Sequence, residues 1–151
     1  MEINGYEGYI IYKNGQVFSI KSNRFLKPQV YKKSLYKYVG LMKDGKQDNK
    51  LIHRLIALHY IPNPNNYLLV DHIDRNPQNN DITNLRWCDY IINNNNMGVF
   101  KTNKLGIKNI HMEKNSYRFS KIYKGVIYRK TFTTLEEAIK YKENFLKKIY
   151  D

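Results

Sequence analysis

The chain has 151 residues, with 26 Lys and Arg against 13 Asp and Glu, a formal net charge of +13 and a pI near 9.7. Its single cysteine, Cys88, excludes an intramolecular disulfide and a Cys-rich zinc site, whose thiolates come in sets, and it suits a reducing compartment. No apolar run reaches the ~18 residues of a membrane span, and the N-terminus lacks the basic start of a signal peptide, so the expectation is a soluble, intracellular protein of a bacterial cytoplasm or a virus-infected host cell, neither secreted nor bound to membrane.

The basic excess runs through both halves: residues 1–96 hold 13 basic and 8 acidic side chains, residues 97–151 hold 13 and 5. A chain this cationic is drawn to polyanions, because each neutralised phosphate releases condensed counterions. The rival reading of the charge is a cationic surface without a specific partner. No long basic amphipathic helix argues for a membrane surface.

Residues 6–42 read as a small twisted antiparallel sheet. Asn14-Gly15 and Asp44-Gly45 are hairpin turns, since both residue types accept positive φ. Tyr36, Tyr38 and Leu41 are candidates for one face. Residues 50–60 change to helical spacing, with Leu51, Leu55, Leu58 and Ile52, Ile56, His59 as stripes, and Pro62 and Pro64 end the helix. Residues 67–72 predict a strand, 73–83 a polar loop, 84–87 a second strand and 88–96 a short helix. Residues 97–106 read as a linker. Three further strands follow, with turns at Asn115-Ser116 and Lys124-Gly125. A final helix is capped by Thr133 or Thr134, with acids in its first turn and Lys147-Lys148 in its last, as the helix dipole favours. Its stripe of Ala138, Tyr141, Phe145 and Ile149 is expected to pack on one face of the three-stranded sheet. The fold class is therefore α+β. Residues 1–96 form one domain with a ββα core at 51–96, and residues 107–151 form a sheet–helix domain.

The stretch "VDHIDRNPQNNDITNLRW", residues 70–87, carries the chemistry. Asp71 and His72 end the first strand and Asn84 opens the second. If the following helix crosses the hairpin, Asn93 faces Asp71, and two oxygen donors from two elements then hold one hard cation such as Mg²⁺, which keeps open positions for phosphate. Neighbours on a strand point to opposite faces, so His72 stands on the other side of a bound phosphate. There a neutral imidazole takes a proton from an attacking water, and the assembly is a phosphodiesterase.

Asp71-His72, "NPQNNDITNLRW" and Asn93 resemble the HNH, or ββα-metal, nuclease motif, and "HRLIALHYIPNP" before it resembles the HNH homing endonucleases of phages, viruses and mobile introns. The resemblance implies His72 as general base and Asp71 and Asn93 as metal ligands, with the neighbouring amides through Asn96 as alternatives to Asn93. It implies that Asn84 fixes the hairpin loop and orients the base. An amide in place of the family's histidine at the last position favours Mg²⁺ or Mn²⁺ over softer ions. Residues 106–145 resemble the ethylene-response-factor type of DNA-binding domain, in which a three-stranded sheet enters the major groove. The residues that would meet double-stranded DNA are Lys114, Tyr117, Arg118, Lys121, Tyr123, Arg129 and Lys130, with alternation turning some of them away. Residues 9–27, around "YIIYKNGQVFSIKSNRFLK", resemble a short module that precedes this HNH type.

Arg75 and Arg86 are candidate phosphate contacts, with a solvated Arg75 and a loop-pinning Arg86 as the plainer readings. His53 reads first as a core or helix–loop group and second as a phosphate contact. His59 reads as packing beside Tyr60, His111 as structural or a DNA contact, and Leu85, Trp87 and Cys88 as core. Asp74 and Asp81 read as turn caps. The expected function is a metal-dependent DNA endonuclease that nicks as a monomer. The alternatives are a non-catalytic DNA-binding protein with a decayed hairpin and an RNA-directed protein using its 14 tyrosines to stack on bases.

Overall fold

The structure, a computed structural model, describes residues 1–150, and of Tyr150 only the backbone. It falls into two compact units, Met1–Asn96 and Met97–Asp151. Both combine small antiparallel sheets with helices, the expected α+β class. Among the described residues, no helix is long and apolar enough to cross a membrane.

In the first unit, β1 (Glu2–Ile3), β2 (Tyr6–Ile11), β3 (Val17–Ser19) and β4 (Arg24–Phe25) pair in sequence order. A separate three-stranded sheet holds β5 (Gln29–Val30), β6 (Lys37–Lys43) and β7 (Lys46–Leu51), where one continuous sheet was expected. Asp44 and Gly45 both take positive φ, 50° and 75°, and close the β6–β7 hairpin as the sequence predicts. Leu41 shares its face with Val39, both buried, and not with Tyr36 and Tyr38, because residues an odd number apart on a strand face opposite ways.

The first helix, α1 (Ile52–Tyr60), starts two residues later than its spacing suggested. Lys50 and Leu51 remain in β7, paired with Val39 and Tyr38. Ile52, Leu55 and Ile56 enter the core beside Ile11, Val17 and Leu41, whereas Leu58 is 59% exposed. His59 is bonded at both ring nitrogens: Nδ1 lies 2.8 Å from the Leu55 carbonyl, and Nε2 accepts from the Asn4 N–H at 3.2 Å. The chain then runs through β8 (Leu69–His72), a 3-10 turn (Ile82–Asn84), β9 (Leu85–Cys88) and α2 (Tyr90–Asn96), giving the ββα order.

In the second unit, Asn103 Nδ2 donates to the carbonyls of Ile107 and Ile110, and so ties residues 97–106 to the start of the sheet. The sheet is β10 (Ile110–Met112), β11 (Tyr117–Tyr123) and β12 (Val126–Phe132). Thr134, not Thr133, caps α3 (Leu135–Tyr150): its Oγ1 accepts from the Glu137 N–H while the Glu137 carboxylate accepts from the Thr134 N–H, a reciprocal pair. Phe119 of β11 is fully buried against Tyr141 and Phe145, ring centroids 5.3 and 5.1 Å away, with Ala138 buried beside them.

Two features of the first unit yield tests. Gly15 has φ +82°, and a Cβ there would stand 2.9 Å from Ile52 Cγ2. Gly15→Ala is therefore expected to cost more than the ~1 kcal/mol typical of a strained turn, read as a lower urea midpoint. His53 of α1 is 4% exposed, and its Nδ1 has no hydrogen-bond partner. Burial first, then the nearby His72 and Arg54, push its pKa down to about 3. Between that value and the ordinary ~6.5 the unfolded chain binds more protons than the folded one, so stability is complete above pH 6.5 and is lost as pH falls toward 3. Relative to His53→Leu, the wild type is expected to lose up to about 1.4 kcal/mol per pH unit in that window, measured by urea titration.

Candidate active site

The site is built on one hairpin. β8 and β9 pair antiparallel with Asp71 opposite Arg86 and His72 opposite Leu85. Directly opposed residues share a face and successive residues alternate, so Asp71 and His72 project to opposite sides. Both are buried, 7% and 5% exposed.

On the Leu85 side, the His72 ring packs edge-on to His53, centroids 4.9 Å apart, and stacks on Tyr36 at 5.7 Å. Tyr36 also lies 4.8 Å from His53, so the three rings contact one another. His72 Nε2 lies 3.0 Å from Asn80 Oδ1. A carbonyl oxygen only accepts, so Nε2 carries the proton and Nδ1 is the lone-pair nitrogen of the neutral ring. His53 is thus a packed neighbour of His72, in the core role that the sequence put among its first readings.

On the other side, Arg86 Nε and Nη2 approach Asp71 Oδ2 at 3.0 and 2.7 Å. Asn96 Nδ2 lies 2.9 and 3.0 Å from Asp71 Oδ1 and Oδ2 and 2.7 Å from the His72 carbonyl. The amide bonded to Asp71 is therefore Asn96, where the sequence pointed to Asn93. Cys88 stays in β9 and Asp89 Oδ1 accepts from the Ile92 N–H, so α2 begins at Tyr90, two residues later than predicted. This brings the last turn, rather than the first, to Asp71. Asn93 is three residues earlier on α2 and so on the same side of it. Arg75, at φ +66° in the loop, lies with Nε 3.5 Å from Asn96 Oδ1 and thus borders the same group. Arg86 is not a loop pin but the partner of Asp71.

The loop between the strands is held by Asn84. Its Oδ1 accepts from the Asp74 N–H at 2.9 Å, its Nδ2 donates to Asp74 Oδ1 and the Asn79 carbonyl, and its own carbonyl accepts from the Ile73 N–H. Asp74 also accepts from Asn79 Nδ2 and the Asn76 N–H, and these bonds, that from Asn79 foremost, hold its carboxyl below the usual range. Asp81 accepts from Thr83 as the cap of the 3-10 turn. Leu85 and Cys88 are buried, whereas Trp87 is half-buried and donates Nε1–H to the Ile61 carbonyl.

These donors suit a hard cation. The buried Asp71 carboxylate and the side-chain amides of α2 carry oxygens of the kind such an ion takes, and Asp71 Oδ1 keeps acceptor capacity beyond its one bond. Among the described residues, no three His, Cys, Asp or Glu side chains form a cage.

In the second unit, register sorts the candidate DNA contacts. Phe119 faces α3, so Tyr117, Lys121 and Tyr123, at even spacing from it, face α3 as well. Lys121 is 8% exposed and Tyr123 OH donates to the Ile149 carbonyl, so neither belongs to an outer face. Lys130, opposite Phe119, lies 4.9 Å over the Tyr141 ring on the helix side. These four are the candidates that alternation turns toward the helix. Arg118 and Arg129 remain on the helix-free face, with Lys114 in the β10–β11 turn and His111 opposite Arg118. Arg118 also pairs with Glu113 at 2.6 Å.

Asn80 and Tyr36 were missed, and Asn96 was named only as an alternative to Asn93. Asn80 and Asn96 lie in Asn-rich runs with no spacing to single one out, and Tyr36 comes from a distant hairpin. Comparison with known proteins gives the family. A profile described as HNH endonuclease matches residues 50–94. The chain is 45% identical over 93 residues to the DNA endonuclease I-HmuI of Bacillus phage SP01, covering 61% of this chain and 53% of that protein. It is 49% identical over 80 residues to an uncharacterized HNH endonuclease of Acanthamoeba polyphaga mimivirus, covering 53% of this chain and 24% of that one. The chain thus spans about half the length, or less, of these relatives. A solved structure titled "DNA binding and cleavage by the HNH homing endonuclease I-HmuI" superposes with a TM-score of 0.59 at 34% identity, over 93% of this chain and 81% of that one. With the hairpin, its loop clasp and the crossing helix in place, the chain belongs to the HNH endonuclease family.

Proposed function

We propose that the chain is a metal-dependent DNA endonuclease of the homing type that hydrolyses a phosphodiester bond at a recognised duplex site and nicks as a monomer. The observation that carries this reading is the hairpin register, which sets a buried carboxylate and a buried imidazole on opposite faces of adjacent positions, Asp71 and His72. Family membership and the likeness to the DNA endonuclease I-HmuI support it.

His72 acts as general base. Asn80 holds the Nε2 proton, so Nδ1 accepts the proton of the attacking water. Tyr36 and His53 limit the ring's rotation, and Asn84 keeps the loop that carries Asn80 closed. Asp71 and Asn93 are the proposed ligands of one Mg²⁺, or of Mn²⁺ in its place. When bound, the ion supplies Lewis-acid stabilisation of the phosphate and of the leaving 3′-oxygen. Arg75 and Arg86 border this point and are suited to phosphate oxygens.

In this reading the first unit, residues 1–96, binds and cuts the backbone. The second, residues 107–151 with 97–106 leading into it, lengthens the recognised site through Arg118, Arg129 and Lys114. Its strand pair is narrow enough for the major groove. Phosphate contacts from the +13 chain supply most of the affinity and set the register on the duplex.

Supercoiled plasmid with Mg²⁺ is expected to be relaxed by the wild type and at least ~100-fold more slowly by His72→Ala, the usual size of a general-base effect. Equal rates would remove His72 from the chemistry, and no cutting of any sequence by either would leave a binding-only protein. Binding to duplex DNA is expected to weaken steeply with salt, and Arg129→Ala to reduce the slope of log K against log salt by about 1. An unchanged slope would place Arg129 outside the interface.

A further inference from the structure

Asp71 is the buried acidic side chain among the described residues, and its charge is already met by the protein itself. Arg86 sends both Nε and Nη2 to the same oxygen, Oδ2, while Oδ1 receives only Asn96 Nδ2. A structural Arg–carboxylate bridge is commonly a fork onto both oxygens. Here one oxygen is claimed and the other is left largely open. The two partners also differ in freedom: the Arg86 side chain is 40% exposed and Asp71 8%. The carboxylate is fixed in the hairpin, and the guanidinium is the group with water to move into. A buried carboxylate without a matching charge is strongly disfavoured, so this site needs a cation at all times.

We infer that Arg86 is a displaceable counter-charge, a positioning residue that neutralises and orients Asp71 until a divalent cation takes over the charge of the carboxylate. The inference rests on Asp71 being the metal ligand of the proposed function. It gives Arg86 two positions: on Asp71 without the ion, and out toward solvent with it. A cation must then compete with the guanidinium, so the Arg lowers metal affinity while it stabilises the metal-free fold.

The test is a Mn²⁺ titration of the full chain without DNA, following the electron paramagnetic resonance of free Mn²⁺, with thermal melts alongside. Arg86→Met is expected to bind Mn²⁺ about 10- to 100-fold more tightly than wild type, the worth of one or two released charge-assisted hydrogen bonds. It is also expected to melt at lower temperature without metal and to gain more from its addition. Arg86→Lys, which keeps the charge, is expected to stay within a few-fold of wild type. Affinity in Arg86→Met that is equal or weaker, while Asp71→Asn abolishes binding, overturns the counter-charge and leaves the metal site standing. Wild-type Mn²⁺ affinity that Asp71→Asn does not change overturns both. In the wild type itself, the Arg86 Nε–H nuclear magnetic resonance signal is expected to move to the position of exposed arginines as Mg²⁺ is added. A signal unmoved at saturation overturns the inference even if Arg86→Met fails to fold.

Discussion

The antiparallel pairing of β8 with β9 is the constraint on which the site depends. Four residue pairs decide that Asp71 looks at Arg86 and that His72 looks at Leu85. A slip of one residue would exchange the two faces, put the carboxylate into the ring cluster and leave the imidazole beside a guanidinium. Register is held at the loop end by two devices, one polar and one apolar. Asn84 clasps the loop through four hydrogen bonds to Ile73, Asp74 and Asn79, and Leu85 anchors β9 in the main core with Ile56 and Leu41. The polar loop and the apolar core thus fix the same alignment independently.

That alignment gives the two key side chains different surroundings. His72 sits among aromatic rings, where its neighbours are His53 and Tyr36 and a single amide orients one nitrogen. Asp71 sits among donors, where a guanidinium and an amide converge. A carboxylate in the first setting and an imidazole in the second would each be mismatched in charge and solvation. The ring cluster joins a hairpin tip, a helix start and a strand end, so His72 is supported by three elements far apart in sequence.

Much of this was legible in the sequence because it is written locally. The hairpin turns at Asn14-Gly15 and Asp44-Gly45, the proline stop after α1, the ββα order and the α3 stripe all follow from neighbouring residues. What was not legible depends on tertiary choices. The start of α1 moved because Lys50 and Leu51 found β6 as a partner. The amide on Asp71 moved from Asn93 to Asn96 because Asp89 caps α2, and in a run of four asparagines composition cannot tell one from the next. The outward face of the second sheet could not be read until Phe119 showed which side α3 covers. Asparagine abundance has a local use: of seven non-glycine residues at positive φ among those described, three are Asn23, Asn66 and Asn109, a type that tolerates it.

The position of β12 bears on solubility. It lies at the margin of the order β10-β11-β12, with Val126, Ile127 and Tyr128 exposed, and such a rim offers unpaired amides and carbonyls to any passing chain. Arg129 and Lys130 follow directly, so a second copy laid alongside would bring like charges together. These like charges guard the rim against self-association, and trading them for neutral residues would remove that guard.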